Sequence, residues 1–530
     1  MNDKSRWFGL LFISIGVSLI IVDTTIVNVA IPAIVADIAL TSTEVQWVQT
    51  AYTLVFAALL IPFGAVADRI GRRTLMVIGV IIFTLASVAA GLAPNGGFLV
   101  FARVLQGFGG AMVLPTTVSL INATFRGKER GIAFAIWGGT IGGMAAVGPL
   151  LGGWLATDFS WRWAFGVNVP FGILVVIGVL RTVANSRSGE KEGFDLVGAA
   201  LAALATGTLV FGLIDGRTLG WWTSTEHVAD WWTLELSPVP FLFLAALILG
   251  ILLVVWSGYR SRQGKASLLP LDLFAVRSFS AGNIVAMIVS LGELGMLFVL
   301  PLWMQNVLGY DPLQAGFMLL SLAIGSFLAS GAGSGLSRSM TPLGMLRLGV
   351  ALEFAALLAL AIFLSQDSGW FLLAAILFVY GLGLGLASAQ VTNVVLAEIP
   401  VEQSGRGSGM QSASRQVGSA LGVAALGTVL FSSLGDRLNN GLEGLLPDEQ
   451  REGLVTAVTE SAGGMIPKLL SDPNTQEIGQ KAAEAFTGAA STASYVAAAF
   501  LLVALLASSV LRARRLEDMD KVKTEPVKAE

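Results

Sequence analysis

The chain has 530 residues, of which 55% are hydrophobic and only 13% charged, and its mean hydropathy is +0.76. A soluble domain carries about 25% charged residues, so the composition excludes a water-solvated globule and means that lipid surrounds most of the chain. There are no cysteines, which excludes disulfides and thiolate metal sites; the net charge of −3 says less than where the charges lie.

A membrane-spanning helix needs about 20 mostly apolar residues, and fourteen stretches meet that need: 8–33, 45–66, 74–93, 97–123, 130–156, 162–182, 194–214, 238–258, 277–306, 313–336, 342–364, 369–397, 407–432 and 490–512. The first follows directly on MNDKSRW; it is too long for a signal peptide and lacks a small-residue cleavage site, so it reads as a retained helix. Asp23 lies in its middle. A charge in hydrocarbon is costly, and such residues face cavities and mark functional sites. Asp23 is therefore the first candidate to carry protons or meet a cationic substrate, with Asn28 nearby; the alternative is an acid paired with an arginine for assembly. Between the second and third spans comes GAVADRIGRR, which sets Asp68, the helix-breaking Gly71 and Arg69, Arg72 and Arg73 where the chain leaves the membrane, with Gly64 at its head. A plain anchor has no need of that cluster. A short polar hinge does, with salt bridges that hold in one state and break in another.

On the fourth span Arg103, Gln106, Gly107 and Gly110 follow i, i+3, i+4, i+7 spacing and make one thin polar face. An arginine there can pair with a carboxylate and tune its hold on a proton, or clamp two helices. On the fifth, Gly148-Pro149 frees a backbone carbonyl and Gly152 and Gly153 thin the helix, which predicts a bendable, closely packed seam. Residues 215–237 hold Trp221, Trp222, Trp231 and Trp232, which reads as an interfacial aromatic belt. Glu293, flanked by Gly292 and Gly295 on the ninth span, is the second candidate proton or cation site, and Glu353 on the eleventh is a weaker version of it. Gln390 with Asn393, and Gln411 with Arg415, share helix faces on the twelfth and thirteenth spans; they line a cavity or act as polar glue between helices. Glu398, before Pro400, reads as structural. Residues 433–489 carry nine acids against four bases, and EQREGLVTAVTESAGGMI within them reads as amphipathic helix, either an outer cap, a partner site or a plain solvated loop.

The loops sort by charge. One set carries Arg69, Arg72 and Arg73; Arg126, Lys128 and Arg130; Arg187 and Lys191; Arg260, Arg262 and Lys265; Arg338; and Arg512, Arg514 and Arg515. The alternate set carries Asp37 and Glu44; Asp158; Asp215, Glu226 and Asp230; Asp311; and Asp367. Basic loops stay in the cytoplasm, so both termini are expected there, which fits an even number of spans. After the tenth span, GAGSGLSRSMTPLG resembles a decayed copy of the first hinge loop without its acid, and Asp23 and Glu293 sit at similar depth. Duplicated halves around a central site are the architecture of many secondary transporters. The expected division is 1–185 and 266–530 as two six-helix bundles, with 186–265 supplying two additional helices.

Five segments together resemble one family: VDTTIVNVAIP (22–32), GAVADRIGRR (64–73), RVLQGFGGAM (103–112), GPLLGGWL (148–155) and WRWAFGVNVPFG (161–172). Over nearly its whole length the chain resembles the fourteen-span drug:proton antiporter branch of the major facilitator superfamily. The resemblance implies an all-α membrane protein with the major facilitator fold, two six-helix bundles plus two linker helices. It implies proton-coupled export of amphiphilic, cationic drugs by alternating access, with Arg103 in proton coupling and the proton gradient in place of any cofactor. The partners it implies are a small amphiphilic substrate, protons and the bilayer of the cell membrane, with the protein a monomer. In exporters of this kind a glycine usually stands four residues before the Gly-Pro pair; here that place is Met144, after Gly142 and Gly143.

Other classes fit less well. One histidine, His227, and the absence of HExxH, GxSxG and a P-loop speak against an enzyme, a metal site or an ATP-driven pump, and no nucleic-acid partner is expected. A channel wants repeated polar rings, whereas these charges stand singly. The rival within transporters is a dedicated exporter of a lipid or native metabolite that uses the 433–489 insertion, which is also the expected seat of any outer partner.

Overall fold

A computed structural model describes residues 3–511 except 41, 187–193, 226–227, 229–231, 266, 337–338, 367 and 401–402. Arg187, Lys191, Glu226, His227, Asp230, Trp231, Arg338, Asp367, Arg512, Arg514 and Arg515 therefore lie outside the described residues, as do the side-chain positions of Asn28, Lys128, Gly142, Pro149 and Gly153.

Lipid offers backbone groups no hydrogen bonds, so a spanning chain must satisfy them within helices or a closed barrel. The described residues form helices: α1 (Asp3–Ile38), α2 (Ser42–Ile70), α3 (Arg72–Gly91), α4 (Gly96–Thr124), α5 (Gly127–Asp158), α6 (Arg162–Gly166), α7 (Asn168–Thr182), α8 (Leu196–Leu219), α9 (Pro238–Arg262), α10 (Arg277–Asn306), α11 (Pro312–Leu336), α12 (Pro342–Phe363), α13 (Trp370–Val395), α14 (Ser404–Gly441), α15 (Asp448–Glu460), α16 (Ile466–Ser471) and α17 (Gln476–Ala507). Among the described residues twelve segments are long and apolar enough to cross a membrane, and Leu313–Ala329 is a shorter apolar helix. With the 32-residue α5 beside them, these agree with the fourteen-span reading. The sixth predicted span is broken at Val167 into α6 and α7; Pro170, in the first turn of α7, has no N–H to offer the turn before it. Elsewhere polar side chains cap the helix starts: Asn95 accepts from the Phe98 amide, Ser237 from Val239 and Thr341 from Gly344.

The helices pack as two groups. In the first half, α3 and α2 pack on α4, α1 on α5, and α7 on α1 and α3. In the second, α10 and α17 pack on α14, and α11 and α12 on α13. The halves meet where α5 lies along α11 and α13, and where α14 lies along α2 and α4. Small residues let these backbones approach. The α10–α14 contact uses Gly418 against the Met287 carbonyl and Gly422 against the Leu291 carbonyl. One arrangement recurs in both halves: Gly109 of α4 faces the Gly79 carbonyl and the Phe83 amide of α3, and Gly383 of α13 faces the Gly349 carbonyl and the Glu353 amide of α12.

The two additional helices are not a loose tether. α8 lies against both α2 and α14, with Val210 and Leu213 packed with Ala57 and Ala420, while the most apolar stretch of α9 is only 17% buried. Asp195 fastens the pair. Its carboxylate accepts hydrogen bonds from the Gly198 amide (2.9 Å), the Trp256 indole (2.8 Å) and the Leu268 amide (2.9 Å), with the Arg260 Nε at 3.7 Å. One buried acid thus ties the start of α8 to the end of α9 and the chain beyond. Asp195→Ala is expected to lower the thermal unfolding midpoint of the detergent-purified protein, because each buried donor left unpaired costs about 1–3 kcal/mol. The Trp256 indole loses its acceptor in the same variant, so its fluorescence should change; an unchanged midpoint would refute the fastening role.

The 433–489 segment is a folded cap. α14 and α17 run on past their apolar stretches, α15 and α16 bridge them, and Leu438, Leu442, Val458, Ile466 and Phe486 are buried between them, continuous with the main core. The Asn306 amide donates to the Ala462 carbonyl (2.9 Å), joining the cap to the end of α10. Of the aromatic belt, Trp232 donates to the Leu236 carbonyl (2.9 Å) and meets Phe241 edge-on, while Trp222 is exposed.

Candidate functional site

Two buried polar clusters lie among the apolar helices, one in each half. In the first half, Arg103 on α4 reaches Asp23 on α1, Nη1 to Oδ2, at 2.5 Å. The other Asp23 oxygen accepts from the Gln106 amide (2.8 Å) and the Asn168 amide (2.9 Å). Gln106 and Asn168 also donate to the Ser87 hydroxyl (2.9 and 3.2 Å). Arg103 donates further to the Val48 carbonyl (3.0 Å) and to Gln106 Oε1 (2.8 Å), and stacks 4.3 Å over the Tyr52 ring. Asp23, Gln106 and Ser87 are fully buried and Arg103 nearly so. The carboxylate is matched by one guanidinium and two amide donors. The i, i+3 spacing seen in the sequence sets Arg103 and Gln106 on the same acid. Ser87, Asn168 and Tyr52 were not legible as members: a lone serine, asparagine or tyrosine in an apolar helix carries no spacing signal until three helices converge.

In the second half, Glu293 on α10 meets Arg415 on α14 at 3.6 Å. Ser388 of α13 donates to Glu293 Oε1 (3.2 Å), and Tyr380 donates to the Glu293 backbone carbonyl (3.1 Å). Arg415 is steadied by the hydroxyls of Ser290 (3.1 Å) and Ser388 (3.2 Å). Its side chain stays 18% accessible, against 2% for Glu293, so this pair borders accessible space while the Asp23 pair does not. Of the other predicted cavity residues, Gln411 donates to Thr392 Oγ1 (3.2 Å) and Asn393 to Gln390 Oε1 (3.4 Å), all four buried. These two contacts stay within the second half, and neither reaches Glu293. The Asn28 side chain lies outside the described residues.

The same sequence separation relates Asp23 to Glu293 and Gly79 to Gly349, so the two acids are repeat equivalents. The arginines are not. Arg103 sits on the fourth helix of its half, whereas Arg415 sits on the fifth of the other.

The hinge residues join the halves. Asp68, at the end of α2, accepts from the backbone amides of Gly405 and Arg406 at the start of α14, both at 2.9 Å, and from Arg72 Nη2 at 2.8 Å. A helix N-terminus presents free N–H groups and a positive dipole end, so a carboxylate is the natural counterpart. Gly64 lies against the Gly405 carbonyl and the Gly409 backbone, and the Ser408 hydroxyl donates to the Pro115 carbonyl (2.9 Å). The sequence pointed to salt bridges at this rim; the bridge to Arg72 is within one half, and the bond across the halves is to backbone. The three arginines differ: Arg72 is buried on Asp68, Arg73 donates to the Val183 carbonyl (3.2 Å), and Arg69 lies 5.8 Å from the Phe194 ring. Gly71 has φ +105°, and Asn185 fills the place a side chain would take. On α5, Gly148 rests on Val22 and Thr25 of α1 and Gly152 on Ile26. The helix passes Gly148-Pro149 without interruption, so the expected seam is closely packed and unbent in its secondary structure.

The pattern of the Major Facilitator Superfamily matches residues 13–423. A tetracenomycin C resistance and export protein of Streptomyces glaucescens is 34% identical over 81% of this chain and 77% of its own length. A multidrug resistance protein of Mycobacterium tuberculosis, Stp, is 33% identical over 88% of this chain and 85% of its own. In fold, the chain is similar to the crystal structure of the human organic anion transporter MFSD10, with TM-score 0.60 at 11% identity, covering 95% of this chain and 99% of that one.

Proposed function

The chain belongs to the major facilitator superfamily, and within it we propose a proton-coupled exporter of amphiphilic, cationic drugs or toxic compounds that works by alternating access. It is a multi-pass membrane transporter and not an enzyme. The observation that carries the reading is the pair of buried acids at repeat-equivalent positions, Asp23 and Glu293, each set against an arginine. An acid that exchanges a hydrogen-bonded guanidinium for a proton is a coupling device, and the intramembrane position gives it that role by default. Relatives named for resistance and export support the outward direction and the drug class.

In this reading residues 1–185 and 266–530 are the moving bundles, and 186–265 rides between them at the α2–α14 seam. The basic Asp68 end faces the cytoplasm of a cell-membrane protein, with both termini there and the cap outside. The Asp68 latch holds that end shut. When it opens, an amphiphilic cation enters from the cytoplasmic side and meets Arg415, Glu293 and the polar faces around Gln390, Asn393 and Gln411. External protons then replace the cation, and the empty carrier resets. A dedicated exporter of a lipid or native metabolite is the second reading, favoured by the folded outer cap, which offers a large product more surface than a plain loop.

Purified protein in liposomes with an imposed pH gradient decides between them. Ethidium movement that follows the gradient in wild type and is lost in Asp23→Asn supports proton-coupled drug export. Asp23→Asn transport with unchanged pH dependence removes Asp23 from coupling, and inert but folded wild type favours the dedicated exporter.

A further inference from the structure

The Asp23 cluster leaves one hydrogen-bonding atom over. The side-chain amides of Gln106 and Asn168 each donate to both Asp23 and Ser87, so neither has an N–H to spare. Gln106 Oε1 accepts from Arg103, and the Ser87 hydroxyl donates to the Phe83 carbonyl (2.9 Å). Asn168 Oδ1 has no partner among the described residues, although Asn168 is only 1% exposed. Buried polar atoms are almost always satisfied, by protein or by an ordered water.

The complementary group stands one turn along α3 from Ser87. The Thr84 hydroxyl oxygen is buried and has no partner among the described residues either. In helices a threonine hydroxyl commonly donates to the carbonyl one turn earlier, and Thr24, Thr116, Thr140 and Thr182 do so at 2.7–2.8 Å. Thr84 instead turns its hydroxyl to α7. Gly172 makes the room, since a β-carbon there would lie 2.1 Å from Thr84 Oγ1. α3 and α7 run antiparallel, with Ser87 beside Asn168 and Thr84 beside Gly172. Residues a turn apart on one face are separated by about 5–6 Å. That is too far for a direct hydrogen bond and within the reach of one bridging water. Thr84 offers a donor without an acceptor, and Asn168 Oδ1 an acceptor without a donor. Two neutral oxygens of this kind suit a water, whereas a metal cation needs several oxygen ligands, commonly carboxylates among them.

We propose that one water molecule is a built-in member of the Asp23 cluster, bound in the α3–α7 seam, where it accepts from the Thr84 hydroxyl and donates to Asn168 Oδ1. Its effect is to fix the Asn168 amide. The two ends of a side-chain amide are alike in shape but opposite in hydrogen-bonding sense, and a turned-over Asn168 would set its oxygen against the Asp23 carboxylate. The water holds that oxygen on the far side, so that the acid meets N–H. Thr84 is thereby a positioning residue for Asp23, acting through the water and Asn168. The NVPFG run of α7 supplies both Asn168 and Gly172, one turn apart. The water site does not depend on the exporter reading; its effect on export rests on it.

Two measurements on the full-length protein test this. Electron cryomicroscopy in lipid nanodiscs, at a resolution that shows ordered waters, is expected to reveal a peak within hydrogen-bond reach of both Asn168 Oδ1 and Thr84 Oγ1. The peak should persist in Thr84→Ser and vanish in Thr84→Val. No peak in wild type, or a Thr84 hydroxyl bonded to the Val80 carbonyl, overturns the proposal, and the wild-type map decides this even if a variant fails to fold. In liposomes, gradient-driven export is expected to fall several-fold in Thr84→Val, the weight of one hydrogen bond. Gly172→Ala should do the same, because its methyl group turns the hydroxyl away, and Thr84→Ser should match wild type. A role in packing alone would reverse that order, since valine keeps the volume of threonine and serine does not. Full export by Thr84→Val without the peak refutes the positioning role. Wild-type export without the peak sinks the water site and leaves the exporter reading intact; the peak in a folded protein that shows no gradient-driven export does the reverse.

Discussion

Asp68→Asn is expected to cut gradient-driven export by about tenfold or more while the protein stays folded. The carboxylate holds three partners at once: the Gly405 and Arg406 amides across the halves, and Arg72 beside it. Hydrogen bonds to a charged group contribute about 1.5–3 kcal/mol each, and a charge at a helix N-terminus adds about 0.3–1 kcal/mol. An asparagine keeps the volume but turns one oxygen into an N–H₂ group that faces a backbone donor. Losing even half of the latch moves the equilibrium between closed and open by about tenfold, since 1.4 kcal/mol is a factor of ten. The chain has no cysteine, so single cysteines placed near the start of α14 report the opening directly. Their alkylation rate should rise in Asp68→Asn. Wild-type export together with wild-type alkylation would end the case for a latch.

Arg103→Ala is expected to be the most damaging single change to folding. It leaves the Asp23 carboxylate fully buried with its cation removed, a loss of about 3–5 kcal/mol, and also strips the Val48 carbonyl and the Tyr52 ring of their partner. The double variant Asp23→Asn with Arg103→Ala removes both charges. It should recover much of the lost thermal stability and still show no proton-coupled export. A double variant no more stable than Arg103→Ala alone would mean that the ion pair is not what the arginine supports.

Much of this was legible in the sequence. Spans stand out because hydrocarbon demands runs of apolar residues, and the hinge loop because three arginines and an acid beside a membrane helix have few other uses. Asp23 and Glu293 were visible as isolated charges in apolar runs. Their partners were less visible. Arg103 declared itself through the i, i+3 spacing to Gln106, but Asn168 reaches the same acid from α7 and Ser87 on α3 accepts from both Gln106 and Asn168, and no spacing within one helix encodes a meeting of three. The backbone partner of Asp68 was hidden for a related reason: Ser404-Gly405-Arg406 reads as an ordinary small-residue helix start, and only the packing of α14 on α2 turns it into an anion site. Within the cap, EQREGLVTAVTESAGGMI was readable as amphipathic helix, while the closure around Phe486 and Ile466 depends on α14 and α17 running on beyond their apolar stretches.

α14 brings these parts onto one shaft. Its 38 residues make a rod about 57 Å long at 1.5 Å per residue, nearly twice the roughly 30 Å of hydrocarbon it crosses. The Asp68 contact is at one end, Arg415 lies within the membrane, and the cap sits on the other end. A see-saw motion of such a rod trades displacement at one tip against displacement at the other. In the proposed alternating-access motion, freeing the amide end from Asp68 would swing the cap, and a clamp on the cap, a bound antibody fragment for instance, is expected to act on the far gate without touching the transport path.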